Sequence, residues 1–374
     1  MIVFGRLSVT LLIGVAQGLA LALMLVLAPK NQRANRLLAL LILAVAMMVT
    51  PYIIGFAGFY DAYPWLSFAP FETGLAFGPL FYFYTCTLTG GPLPPQWLRH
   101  FAPYAVQFLS QALVFPLPVE TKDWWDGFAN ASIISPLLTF ASIASVAIYG
   151  HMTWRRYQAY KVFLTETRTD GVLFDPSWIR NGLIALAAMA LVWGGFFMAD
   201  ALDPSRTYFD RFWMYVGFSM LAIYLGIEGW RNAQLDYPAM GETTTIAPPA
   251  ITEASHPQRD WAIQAASWAQ VVDDRELWRD PEVTLASLAK SLGANTTYVS
   301  RALNEGLGLT FSAFINGRRV EAVKRQLADP AVDDDILTIA FAAGFNSKAS
   351  FNRAFADLVG TTPSAYRRTA RLKS

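Results

Sequence analysis

The feature that most restricts the fold of this chain is a series of long apolar runs within residues 1–231. A helix must supply about 20 mostly apolar residues to cross a hydrocarbon core of about 30 Å. Seven runs approach that length: 7–28, 37–57, 66–88, 101–119, 131–150, 178–199 and 209–230. Residues 1–255 hold 14 Lys/Arg and 15 Asp/Glu, whereas the shorter stretch 256–374 holds 15 and 13. The sequence therefore predicts a seven-helix transmembrane bundle over residues 1–231, followed by a soluble part.

Basic residues in the connecting loops predict the orientation of this bundle. Loops on the cytoplasmic side of a membrane carry an excess of Lys and Arg. The loops 29–36, 89–100 and 151–177 hold eight such residues, and the opposite set, counted with the amino terminus, holds four. We therefore expect the amino terminus outside and, after an odd number of spans, the carboxyl terminus in the cytoplasm.

The soluble part shows the same helical pattern twice. After a polar linker at 232–256, the domain 257–374 has a first helix with Thr284 as its N-cap. A turn at Gly293 and a second helix capped by Asn295 follow, with Val299 predicted to face inward and the polar residues another way. Further along the chain, a turn at Gly344 separates another two helical stretches, and Phe351 and Phe355 are predicted to face inward from the second. Helix, glycine turn and helix is the signature of a helix-turn-helix unit, so we predict two units, at about 284–306 and 336–358.

A long helix is predicted between the two units, over residues 310–328. About 19 residues at a rise of 1.5 Å give roughly 28 Å. Successive major-groove faces on one side of B-DNA lie roughly 34 Å apart, so such a spacer suits two units that enter adjacent turns of double-stranded DNA. Because every predicted element is a helix, the predicted fold class is all-α.

The soluble part contains several closely spaced sequence motifs. The most specific are Tyr298-Val299-Ser300-Arg301, Arg319-Val320-Glu321, Gly344-Phe345-Asn346-Ser347 and Phe351-Asn352-Arg353-Ala354-Phe355. On these residues, the stretch 280–368 resembles the DNA-binding domain of AraC/XylS-family transcriptional regulators, whose fold is two helix-turn-helix units joined by one long helix. Residues 78–84 and 99–103 resemble segments of membrane-anchored regulators of this type. The resemblance implies a transcriptional regulator, typically an activator, in the bacterial inner membrane.

The resemblance also implies that bases are read from the second helix of each unit. Carried over by position, the base-reading residues are Thr297, Ser300 and Arg301 in the first unit, and Lys348, Ala349, Asn352 and Arg353 in the second. An arginine can contact guanine O6 and N7 at once. The alternative for Arg301 and Arg353 is a structural ion pair or a phosphate contact.

A second group of residues is expected at helix ends or on phosphate. Thr296, Ser347, Thr362 and Ser364 are candidates to cap helices or to donate to phosphate oxygens. Arg367 and Arg368 lie in a basic tail, since the chain from Asn346 onward has six basic residues and one acidic residue. We expect these two arginines to contact phosphate.

Polar residues inside the predicted spans indicate a candidate signal site. Glu72 is costly in lipid and should face the bundle or lie near the outer surface, and Gln17, Gln107 and Gln111 lie in other spans. One hypothesis is a pocket that binds a small signal molecule or responds to protonation. The alternative is that these groups hydrogen-bond the helices to one another.

Other functional classes find less support in the sequence. One cysteine, Cys86, and three histidines without metal-ligand spacing predict no metal site and no cofactor, and the chain is not expected to be an enzyme. The run 209–230 contains no lysine, which excludes a retinal photoreceptor with its Schiff base in the seventh span. A membrane enzyme or transporter with a regulatory DNA-binding tail stays an alternative, as does a membrane part that only anchors the domain. The expected partners are double-stranded DNA, the lipid bilayer, a small-molecule ligand in the membrane part and a second copy in a homodimer.

Overall fold

The computed structural model describes residues 2–203, 205–240 and 260–372. Within those ranges the elements are all helical, with a single isolated β-bridge between Arg168 and Thr284. The chain divides into two compact units. Unit 1 comprises Met1–Gln158 and Pro176–Tyr237, and unit 2 comprises Ala159–Asp175 and Pro238–Ser374.

Unit 1 contains the apolar helices. They are α1 (Arg6–Leu27), α2 (Gln32–Phe56), α3 (Phe59–Ala62), α4 (Gly74–Leu88), α5 (Ala102–Val114), α6 (Val119–Trp125), α7 (Ser135–Thr167), α8 (Ser177–Leu202) and α9 (Phe212–Asn232). Among the described residues, five helical segments are long and apolar enough to cross a membrane, judged by length and composition alone. These segments are Arg6–Leu27, Gln32–Phe56, Val119–Thr167, Ser177–Leu202 and Tyr208–Asn232.

The predicted third and fourth spans are shorter in the structure than in the sequence pattern. Helix α4 has 15 residues and α5 has 13. Residues 67–73 precede α4 without forming a helix, since Pro70 disfavours helical geometry at Ala69. Pro116 and Pro118 follow α5 and lack the backbone N–H that a continuing helix needs. A seven-helix bundle is therefore not established by helix length.

The predicted fifth span is much longer than the apolar pattern indicates. Helical structure is continuous from α6 through a π-helical stretch, Asp126–Ile134, into the 33 residues of α7. The region 151–167, expected to be loop, is thus the last part of α7. Its final turns, from Ala159 on, belong to unit 2. Charged residues end an apolar run in a sequence, but they do not end a helix.

Small residues allow the first and last helices of unit 1 to pack closely. A Cβ atom added at Gly14 would lie 2.7 Å from Cβ of Ser219, and one added at Gly18 would lie 3.2 Å from Cβ of Ala222. These residues join α1 to α9, and α2 packs against both. Contact between helices through glycine, serine and alanine is typical of bundles in lipid, where close approach replaces the hydrophobic effect.

Large apolar side chains cover the outer surface of unit 1. Leu113 in α5 is 73% exposed and Leu191 in α8 is 77% exposed, and Phe140 and Trp213 are exposed on α7 and α9. A surface this apolar is unusual for a protein in water and indicates contact with another apolar phase or partner. The finding is compatible with insertion into a membrane.

The first residues of the predicted linker are held against unit 1. Asn31 donates to the carbonyl oxygens of Ala233 and Leu235 at 3.1 and 2.7 Å, and Lys30 pairs with Asp236 at 2.6 Å. Residues 241–256 of the predicted linker lie outside the described residues, as do 257–259 of the predicted domain.

In its described residues, unit 2 has seven further α-helices around one core. They are α10 (Trp261–Asp274), α11 (Leu285–Ser291), α12 (Thr296–Arg301), α13 (Phe311–Ala328), α14 (Ile336–Ala342), α15 (Lys348–Val359) and α16 (Pro363–Arg371). The core contains residues from both predicted helix-turn-helix regions, among them Leu288, Val299, Phe351 and Phe355. Helix α10, capped by the Asp260 carboxylate, was not predicted from the sequence.

A buried arginine of α13 ties several parts of unit 2 together. Arg319 is 2% exposed and donates to the carbonyl oxygens of Trp278 and Asp280, both at 2.7 Å. It also contacts the amide oxygen of Asn316 at 3.3 Å and lies over the ring of Phe345. Burial lowers the pKa of Arg319 to about 10, although the nearby Asp280 and Asp170 oppose the change, so the side chain stays charged near neutral pH.

Candidate nucleic-acid interface and polar cavity

The first helix pair of unit 2 is α11 and α12, joined by a turn at Gly293 with φ +64°. The predicted caps are confirmed, since Thr284 accepts from Ser287 N and Asn295 accepts from Tyr298 N. Val299 is buried, whereas Thr297 is exposed and Ser300 is partly exposed. The polar residues of α12 therefore lie on its outer side, as the sequence pattern predicted.

Arg301 already has partners on its own unit. Its Nε atom lies 2.7 Å from Oε1 of Glu305, and its guanidinium stands 5.1 Å from the ring centroid of Trp261. More than half of the side chain stays exposed. An exposed ion pair of this kind contributes little to stability. The guanidinium of Arg301 can therefore leave Glu305 for another hydrogen-bond acceptor at a small cost in free energy. Trp261 lies in α10, so the sequence analysis did not identify this contact.

The second helix pair is α14 and α15, joined by a turn at Gly344 with φ +92°. Phe351 and Phe355 are fully buried, which confirms the predicted inward face of α15. The four predicted base-reading residues of this helix, Lys348, Ala349, Asn352 and Arg353, are all exposed. Arg353 is 3.8 Å from Asp357 Oδ2, a long and exposed ion pair. The outer face of α15 therefore presents four accessible side chains.

The residues predicted to cap helices or to contact phosphate fall into two groups, N-caps and side chains that are accessible to solvent. Ser347 accepts from Ser350 N at 3.1 Å and Thr362 accepts from Ala365 N at 3.3 Å, so both are N-caps. Asn295, rather than Thr296, caps α12, while Thr296 is partly exposed and Ser364 is exposed.

The two arginines of α16 differ in their freedom to contact phosphate. Arg367 donates to the carbonyl oxygens of Asp334 and Val332 at 2.7 and 3.0 Å, so its guanidinium ties α16 to the loop before α14. Arg368 is exposed. Of these two predicted phosphate contacts, Arg368 is therefore the more accessible.

A segment that is distant in sequence completes unit 2. Residues 168–174, the post-α7 segment, follow the end of α7 and include a short 3-10 helix at Gly171–Phe174. Asn316 of α13 donates to the Thr169 carbonyl at 3.3 Å, and Asn346 donates to Asp170 Oδ2 at 3.1 Å. The 3-10 helix packs against α15. The post-α7 segment therefore contacts both the central helix and the second helix pair.

Charge fixes the conformation of the post-α7 segment. Asp170 is 6% exposed and accepts two hydrogen bonds from Arg168, at 2.6 and 2.8 Å. Burial alone would raise the pKa of Asp170, but the hydrogen bonds and charge of Arg168, together with Asn346, lower the pKa below its ordinary value. Asp170 is therefore ionised near neutral pH, and the bidentate pair holds the segment in one geometry.

Unit 1 contains a cavity of about 580 Å³, within the usual size range of small-molecule sites. Two of the predicted signal-site residues, Glu72 and Gln107, line it. Gln107 is 3% exposed and donates to Glu72 Oε2 at 3.1 Å, and the amide of Gln111 lies near the same carboxylate. Gln17 lies on the exposed face of α1 and is not part of this cluster. The structure thus joins three of the four predicted residues.

The cavity also contains groups that the sequence analysis did not select. Asp200 accepts from Nε of Arg206 and Nε of Arg211, each at 2.8 Å. Aromatic side chains form much of the remaining wall, among them Tyr52, Tyr60, Phe71, Trp193, Phe196, Tyr208 and Tyr215. These residues come from separate helices and loops, so only the fold brings them together.

Comparison with known proteins supports the interpretation of the carboxyl-terminal part. Residues 288–369 match the family described as the helix-turn-helix domain. An uncharacterized HTH-type transcriptional regulator of Staphylococcus aureus (strain MSSA476) is 36% identical over 98 residues, which cover 26% of this chain and 13% of that protein. The melibiose operon regulatory protein of Escherichia coli (strain K12) is 32% identical over 89 residues, which cover 24% of this chain and 29% of that protein.

The matched region spans less than a third of the length of these curated relatives. No solved structure matches the chain. The similarity lies in the region of α11 to α16, where the two glycine turns and the exposed polar faces of α12 and α15 are found. These observations support a carboxyl-terminal helix-turn-helix domain similar to those of transcriptional regulators.

Proposed function

We propose that this chain is a membrane-bound, sequence-specific transcriptional regulator that couples a signal received by unit 1 to promoter binding by unit 2. In this proposal unit 1 is a multi-pass bundle in the bacterial inner membrane, with the amino terminus outside and unit 2 in the cytoplasm. The supporting observations are the exposed apolar surface of unit 1 and the excess of basic residues in one set of loops.

The DNA contacts in the proposal follow the accessible faces of α12 and α15. One major groove is contacted by α12, whose base-reading residues are Thr297, Ser300 and Arg301. The next turn of the groove is contacted by α15, through bases or the DNA backbone, by Lys348, Ala349, Asn352 and Arg353. Helix α13 has 18 residues and is therefore about 27 Å long, a length suited to two adjacent turns of the duplex. Arg368 and the exposed Ser364 contribute contacts to phosphate.

The observation that carries the coupling is the position of the post-α7 segment within unit 2. Helix α7 starts in unit 1 and ends in unit 2. A shift of this apolar helix would therefore displace Thr169 and Asp170, which follow its last turn. These residues contact Asn316 and Asn346, which lie on the central helix and at the turn before α15. A displaced α7 would therefore change the position of α15 relative to α12 and so change the affinity for a two-turn operator.

A DNA-binding assay on the full chain tests the base-reading assignment. Arg301→Ala should reduce the affinity for the preferred operator by about 5- to 150-fold, the value of one arginine–guanine pair, with little change for random DNA. Arg368→Ala should weaken both kinds of DNA to a similar extent and reduce the salt dependence by about one ion. Arg325→Ala, exposed on α13, is the matched control. An operator preference that survives Arg301→Ala would contradict the assignment.

A cross-linking experiment tests the coupling. In a chain with Cys86→Ser, the changes Asp170→Cys and Asn346→Cys allow a short thiol cross-linker to fix the post-α7 segment to the turn before α15. We expect operator affinity to differ at least about fivefold between the cross-linked and the open form of the same variant, roughly 1 kcal/mol. Glu166→Cys paired with Asn346→Cys serves as the control position. Equal affinities for the fixed and open forms would refute coupling through this segment.

A further inference from the structure

The charges around the cavity of unit 1 are unevenly neutralised. Asp200 is shared by two arginines, Arg206 and Arg211, so this group of three carries a net positive charge. The hydrogen-bond donor to Glu72 is the neutral amide of Gln107. Among the described residues, no cation is paired with Glu72. Glu72 is therefore a carboxylate on the cavity wall without an ion-pair partner in the described part of the chain.

Two buried hydrogen-bond acceptors near Glu72 also lack partners. Gln107 donates an amide N–H group to Glu72, and within the described residues the buried Oε1 atoms of Gln107 and Gln111 have no hydrogen-bond partner. Buried polar atoms without a partner are uncommon, and each one needs an explanation. A ligand with several N–H donors would match a carboxylate surrounded by free carbonyl oxygens, and a primary ammonium has three such donors.

The walls of the cavity suit the rest of such a molecule. Aromatic rings attract cations through their faces, most strongly where water is excluded. One ring already does so, because the guanidinium of Arg206 lies 5.4 Å from the ring centroid of Phe196. Tyr52, Trp193 and Tyr208 present further aromatic surface to the cavity. Glu72 lines the cavity and keeps accessible surface, so a ligand can reach the carboxylate.

We propose that this cavity binds a small organic amine, whose protonated ammonium group pairs with Glu72 while its apolar portion contacts the aromatic wall. The inference rests on the proposed function, since it assigns a ligand class to the signal site of unit 1. The cavity volume of about 580 Å³ accommodates a molecule of one or two rings or an equivalent alkyl chain.

Direct binding to the full chain in lipid nanodiscs tests the inference. The probes are methylammonium, butylammonium and phenethylammonium chloride, together with phenylacetate as a matched anion and phenethyl alcohol as a matched neutral molecule. We expect saturable binding of phenethylammonium by calorimetry, at least about tenfold tighter than that of the anion or the alcohol. Glu72→Gln should reduce this affinity by at least about tenfold, because the amide keeps the shape but removes the charge. Glu120→Gln, an exposed carboxylate outside the cavity, should leave the affinity unchanged.

Three results would overturn the assignment: equal binding of amine and acid, unchanged amine affinity in Glu72→Gln, or no saturable binding of any amine in the series. Operator affinity measured in the same nanodiscs separates this inference from the proposed function. If phenethylammonium binds through Glu72 and leaves DNA affinity unchanged, the ligand class stands and the coupling fails. If amines do not bind but the cross-linked variant alters DNA affinity, the coupling stands and the ligand class fails.

Discussion

Arg319 offers a quantitative test of how unit 2 is held together. The change Arg319→Met keeps most of the side-chain volume but removes the donors to the Trp278 and Asp280 carbonyl oxygens, both at 2.7 Å. The buried Trp278 carbonyl is left without a donor, at a cost of about 1–3 kcal/mol. The Asp280 carbonyl keeps its hydrogen bond from the Val283 backbone N–H but loses a charge-assisted one, worth about 1.5–3 kcal/mol. The variant no longer has to desolvate a charged guanidinium, which offsets part of this cost. We therefore expect the unfolding free energy of unit 2 to fall by about 2–4 kcal/mol.

The measurement is native-state hydrogen exchange of the full chain, read by mass spectrometry on peptides from α13. A loss of 2–4 kcal/mol corresponds to an increase of about 30- to 900-fold in the exchange of amides that open with the whole unit. Arg318→Met is the matched control. Its guanidinium pairs with Asp273 near the surface, at 2.5 Å, and such pairs contribute about 1 kcal/mol or less. Similar losses in the two variants, or a loss below 1 kcal/mol for Arg319→Met, would refute the reasoning.

Two further predictions concern the second helix pair and the segment that contacts it. Gly344→Ala should destabilise unit 2 by clearly more than Gly293→Ala in the same exchange experiment. Both glycines have positive φ, and an alanine in this left-handed conformation costs about 1–2 kcal/mol at either position. Only at Gly344 would the added Cβ also lie 2.6 Å from a backbone oxygen, that of Arg279, so equal losses would contradict the packing argument. The lowered pKa of Asp170 means that its contribution to stability is complete above the pKa of the unfolded chain and is lost as the pH falls through the lower folded-state pKa. Protection of the Asn346 side-chain amide should therefore stay constant between about pH 5 and pH 8 and decline only in stronger acid, and a decline near neutral pH would show that another group controls the contact.

Local chemistry made several parts of unit 2 predictable from the sequence. Thr284 and Asn295 stand before apolar residues at helical spacing, and a short polar side chain at that position satisfies free backbone N–H groups. The alternation of Phe351 and Phe355 with polar residues gave the inward face of α15. In each example, residues within one or two helical turns of each other determine the outcome.

The parts that were not predicted depend on contacts between distant residues. Helix α10 has a weak apolar pattern, and its Trp261 becomes significant only next to Arg301, which is 40 positions away. Arg206 and Arg211 were counted only as loop charges, and the fold pairs both with Asp200, which lines a cavity with Glu72. Arg367 was expected on phosphate because it lies in a basic tail, but the loop before α14 offers it carbonyl acceptors. Charge counts give the number of ions in a segment but not their partners.

The close contact of α1 with α9 has a consequence for biogenesis. A bundle whose first helix pairs through Gly14 and Gly18 with its last cannot complete that interface until Ser219 and Ala222 have left the ribosome. In the membrane-bound state proposed above, the glycine face of α1 therefore contacts lipid or an insertase during synthesis, while about 190 residues are added. Phe351 and Phe355, which complete the core of unit 2, are synthesised about 130 residues after Ala222, so the α1–α9 interface can form before unit 2 folds.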